Sequence, residues 1–101
     1  MADLPKTICV AGISIKILRQ DLSDDDCYGY WQNDKKAIIL DTRLTGKRLL
    51  ETLRHELLHA ALDLSGVSFI ETKGYPEEAT VRALENLFFP PWERIVKRLS
   101  K

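Results

Sequence analysis

An α+β domain is the fold class this sequence predicts, and two patterns carry it. Apolar residues alternate with small or polar ones through roughly the first forty positions, then recur at three- and four-residue spacings toward the C-terminus. Strand material therefore comes first and helical material follows. With 101 residues, the chain suits one domain over 1–101, large enough to bury about two-thirds of its unfolded surface without disulfide staples.

Thr7 to Ile17 opens the strand region, with apolar Ile8, Val10, Ile13, Ile15 and Ile17 and a break at Gly12. A polar stretch from Gln20 through Asp26 interrupts it. Asp24, Asp25 and Asp26 lack the glycine turn and distal glutamate of a calcium loop, so they read as a solvated loop. Tyr28-Gly29-Tyr30-Trp31 and Ala37-Ile38-Ile39-Leu40 flank Asn33-Asp34-Lys35-Lys36, the pattern of a hairpin with a polar turn. A three- to four-stranded, mainly antiparallel sheet is the expectation.

Thr45 is a good N-cap for a helix opened by Gly46 and Lys47 and ended by Gly66. Its apolar positions, Leu49, Leu50, Leu53, Leu57, Leu58, Ala60, Ala61 and Leu64, form a stripe wide enough to pack on more than one side. Past a loop from Val67 to Gly74, Pro76 suits the first turn of a helix that carries Glu77, Glu78, Val81, Leu84 and Leu87 to about Phe89. Pro90-Pro91 predicts its stop. A last amphipathic helix from Trp92 to Leu99 then places Trp92, Ile95, Val96 and Leu99 on one face.

Composition narrows the function classes. Fifteen basic and fifteen acidic residues cancel, and neither sign forms a block, so the electrostatic footprint of a nucleic-acid binder is missing. Lys47-Arg48 and Lys97-Arg98 read as solvated helix faces. Cys9 and Cys27 are too few for a disulfide scaffold and too far apart for a metal knuckle; they read as incidental thiols, against the sharper idea of Cys27 as an inhibitory thiolate. No secretory leader and no apolar run of membrane-spanning length stand out, which predicts a soluble, cytoplasmic protein with no membrane partner.

His55-Glu56-Leu57-Leu58-His59 is the stretch that proposes a chemistry. Its histidines are the only two in the chain and lie one helical turn apart, so both imidazoles can converge on one Zn²⁺ while Glu56 reaches a water beside it. A catalytic zinc takes three protein ligands and keeps a position for water. With no third histidine, the remaining ligand must be a carboxylate or a cysteine. Glu77 and Glu78, in the first turn of the next helix, are the candidates; helical projection puts Glu77 nearer the centre of the apolar face, and Glu78 off it. Asp63, one turn beyond His59, reads either as support for a ligand or as an exposed helical carboxylate.

The order of strand hairpin, HExxH helix, short loop and glutamate helix resembles a compact zincin of the gluzincin kind. Gly29-Tyr30-Trp31, Ile38-Ile39-Leu40-Asp41, Leu49 through Ala60, and Glu77-Glu78-Ala79 carry the resemblance, which is to small phage and bacterial metallopeptidase-like proteins of the ImmA/IrrE and SprT-like patterns. It spans about Tyr28 to Pro90. The resemblance implies a sheet packed on a central HExxH helix, His55 and His59 as zinc ligands, Glu56 as general base, and a third-ligand glutamate followed by a small residue, which favours Glu78 over Glu77. It also implies that Ile38 to Leu40 is an edge strand able to pair with a peptide substrate. Tyr75, just before the glutamate helix, is the candidate oxyanion stabiliser, its other reading being a packing residue.

The function expected is zinc-dependent hydrolysis of peptide bonds in a peptide or protein substrate. The alternative is a catalytically silent zinc-binding regulatory protein that meets a protein partner through Phe88-Phe89-Pro90-Pro91-Trp92. Plain core packing is the other reading of that aromatic segment.

Overall fold

The computed structural model describes residues 4–65 and 77–100. Among the described residues, four strands, β1 (Thr7–Val10), β2 (Ile13–Gln20), β3 (Gly29–Gln32) and β4 (Ala37–Asp41), precede three α-helices, α1 (Gly46–Leu64), α2 (Glu77–Ala83) and α3 (Phe89–Leu99). This is a small α+β fold. The chain divides into two compact units, Met1–Ile70 and Glu71–Lys101; the first holds the sheet and α1, the second α2 and α3.

The strands lie in the order β1-β2-β4-β3. β1 with β2 and β3 with β4 are antiparallel, whereas β2 and β4 run parallel, with Ile17 opposite Ile38 and Leu18 opposite Ile39. A two-residue turn joins β1 to β2, and Ala11 and Gly12 both have positive φ, 53° and 78°, the backbone hand that matches strand twist in a tight hairpin. The Asn33–Lys36 turn is closed by the Lys36 amide on the Asn33 carbonyl at 3.1 Å.

The sequence run Ala37-Ile38-Ile39-Leu40 explains why β4 sits inside the sheet. All five β4 residues are buried, as expected of a strand covered on both faces rather than one. Ile38 and Leu40 join Ile15, Ile17, Leu44, Leu49, Leu53 and Ala60 in the core between the sheet and α1, while Ala37 and Ile39 pack with Leu22 on the opposite face. The edge-strand expectation for Ile38 to Leu40 is thereby corrected: β4 is bonded on both sides, and the edges are β1 and β3.

α1 buries Leu49, Leu53, Glu56 and Ala60, spaced four, three and four residues apart, so one line of the helix meets the sheet. Thr45 stands at the N-cap in extended conformation, but its side chain makes no capping bond. The entry to α1 is held from elsewhere: Arg19 donates to the carbonyls of Asp41 and Leu44 at 3.0 and 2.8 Å. Gly66 and Pro76, predicted to end one helix and begin the next, lie outside the described residues.

In the second unit the predicted stop at Pro90-Pro91 does not occur. The chain passes from α2 through a π-helical segment, Leu84–Phe88, directly into α3, with both prolines in the first turn of α3. The Phe89 amide donates to the Leu84 carbonyl, five residues back. Proline lacks an amide hydrogen, so widening the helix just before the prolines keeps the backbone connected where two ordinary bonds are lost.

Candidate metal centre

His55 and His59 project from the same side of α1 because four residues make slightly more than one turn. Both are half-buried, and their rings meet edge to face with centroids 4.9 Å apart. Glu56, between them in sequence, is buried at 8% exposure. The helix thus holds two nitrogen donors at its flank and a carboxylate turned inward beside them.

Glu78, in the first turn of α2, is the exposed member of the group. One ligand atom from each of His55, His59 and Glu78 lies within 4.8 Å of the others, close enough to hold a metal ion. Two imidazoles and a carboxylate are a donor set suited to a divalent transition metal. Glu77 is half-buried and stands outside this group, and Arg82 lies 3.8 Å from the Glu78 carboxylate. Tyr75 falls outside the described residues.

No family model, curated protein or solved structure matches the chain.

Asp63 takes neither role weighed for it from the sequence. Its carboxylate accepts a hydrogen bond from the Trp31 indole at 2.8 Å and another from the Asn33 side chain. It fastens the end of edge strand β3 to α1, one turn past His59. Gly29 at the other end of β3 allows the same close approach: a Cβ there would lie 3.1 Å from Thr52 Cγ2 and 3.0 Å from the Ile39 carbonyl oxygen. Neither contact was visible in the sequence, since Trp31 and Asp63 are 32 residues apart and a glycine in a strand has several readings.

Cys27 packs against Leu22, Ala37 and Ile39, on the sheet face away from α1, which supports the incidental reading of that thiol. Lys47 pairs at long range with Glu51, 3.9 Å, on the surface. Arg48 and Arg43 each place a guanidinium 5.0 Å from the centre of the Tyr28 ring, contacts that join the start of α1 to the residue before β3.

Asp41 is the other buried carboxylate, with no exposed surface. Arg43 binds it through Nε at 2.6 Å and through its backbone amide at 3.1 Å. That hydrogen-bonded partner holds the Asp41 carboxyl below its ordinary value, against the opposing effect of burial. Arg43 is held correspondingly above its own. This pair is structural, at the turn from sheet to helix.

Proposed function

We propose that this chain is a zinc-dependent peptidase of the compact zincin type, acting on a peptide or protein in the cytoplasm. The observation that carries the reading is the convergence of His55, His59 and Glu78 with buried Glu56 in the same helical turn. A structural zinc site has no need of Glu56. Two free thiols agree with a reducing compartment.

Zn²⁺, when bound, supplies a Lewis acid that polarises the scissile carbonyl and lowers the pKa of the attacking water to about 7. His55, His59 and Glu78 would hold it. Glu56, next in sequence to His55, would accept a proton from the attacking water and return it to the leaving amine.

The alternative, a silent zinc-binding regulatory protein, differs in one outcome. Glu56→Gln is nearly isosteric and removes only the base, so zinc content and melting should stay unchanged while peptide cleavage falls by about 10²–10⁴-fold. Cleavage undiminished in purified Glu56→Gln protein would sink the mechanism. Zinc retained at one per chain with no cleavage in either protein, across a peptide library, would favour the silent alternative.

A further inference from the structure

We propose that α3 lies on anionic lipid surfaces as an in-plane amphipathic helix. Described residues of the second unit leave an unusually continuous apolar line in water: Leu87, Phe88, Trp92, Ile95, Val96 and Leu99 are all exposed, Leu99 at 78% and Trp92 at 51%. Spacings of four, three and four from Phe88 to Leu99 keep the line on one side of the helix. The Phe88 and Trp92 rings stack nearly parallel, 15° apart with centroids at 6.4 Å, so the aromatic part of the stripe is ordered before any partner arrives.

Charge decides the occupant. Glu93, Arg94, Lys97 and Arg98 fill the rest of the helix surface, three cations against one anion, all exposed. Long cationic side chains beside a stripe of Trp, Phe, Ile and Leu are the pattern of a helix lying at the boundary of headgroups and acyl chains. Each cation there can reach an anionic headgroup while the stripe enters the acyl region. A second copy fits less well: Phe88, Trp92, Ile95 and Leu99 make only two heptads of a pairing seam, short of the three or four that sustain one, and the cationic flanks would repel. No helix among the described residues is long and apolar enough to cross a membrane. Lying on a surface needs only one apolar side.

The 101-residue chain is mixed with vesicles of phosphatidylcholine alone or with added phosphatidylglycerol, at about 0.15 M salt, and sedimented. The expected result is sedimentation with the anionic vesicles and not the neutral ones, with a blue shift of tryptophan emission. Trp92→Phe should keep sedimentation and lose the shift. Lys97→Gln with Arg98→Gln should weaken partitioning about thirtyfold. Ile95→Glu with Leu99→Glu should abolish it, with circular dichroism and melting as in wild type. Failure to sediment, equal sedimentation with neutral vesicles, or retention by Ile95→Glu/Leu99→Glu would each overturn the proposal. So would a concentration-dependent dimer that the same double variant dissociates, which would assign the stripe to a second copy.

Discussion

Two carboxylates are buried in the described residues, Glu56 and Asp41. Asp41 is hydrogen-bonded by Arg43, and that pairing makes a statement about pH. Because Arg43 lowers the folded-state pKa of Asp41 below 3.8, the stabilisation is complete above the unfolded value and is lost as pH falls through the folded one. Asp41→Asn should therefore melt below wild type at pH 7, and the gap should close on acidification below about pH 4. Thermal melting of both proteins across pH 3 to 7 checks this, and a gap that stays constant would remove Asp41 from the acid response.

At this scale the sequence disclosed local geometry unevenly. The approach of His55 to His59 on one side of α1 was legible because the spacing is local and the helix period converts it into geometry. Glu77 and Glu78 were harder to separate: helical projection favoured Glu77 and the resemblance favoured Glu78, because adjacent residues on a helix differ by about 100° in direction and the start of the helix was uncertain by a residue or two. Asp63 could not be read at all, its partners lying in another element.

Elements are held to one another at a few close points. Gly29→Ala would push a methyl against the Ile39 carbonyl and Thr52; carbonyl and helix must yield by a few tenths of an ångström, at a cost of about 1–3 kcal/mol. Urea denaturation should show that loss, and an unchanged midpoint would mean the edge strand and α1 are less tightly seated than described. Trp31→Phe keeps the ring but gives up the bond to Asp63, for about 1.5–3 kcal/mol, the range for hydrogen bonds to charged groups. Combining it with Asp63→Asn should cost less than the sum of the two single changes.

The hairpin around Asn33–Lys36 and the long helix could be predicted because their periods are local. Two features failed for opposite reasons. Ile38 to Leu40 was assigned an edge by resemblance, although a run with no alternation already indicates a strand covered on both faces. Pro90-Pro91 was read as a stop because proline removes backbone donors; a π-helical turn, which no propensity flags, absorbed that loss.

For the molecule as a whole, a metal that binds only the folded chain must raise its melting temperature. At free zinc a hundredfold above the dissociation constant the gain is about 2.7 kcal/mol, on the order of 10 °C for a chain of this size. Adding EDTA should reverse it, and His55→Ala/His59→Ala should melt at the same temperature with or without zinc. A wild-type protein indifferent to both zinc and chelator would remove the metal centre. The α+β architecture followed from the order of periodicities, but the parallel pairing of β2 with β4 did not, because it joins segments separated by a whole hairpin strand.

That pairing sets an order of events during synthesis. As the chain leaves the ribosome, β1 and β2 can close at once across their two-residue turn, while β3 emerges without a neighbour to bond. The inner edge of β2 stays bare until Ala37–Asp41 arrives, because the last strand made is the one that fills the gap between β2 and β3. Sheet completion is thus a single late step, and the nascent hairpin passes through the interval with an open edge, the condition under which strands recruit wrong partners.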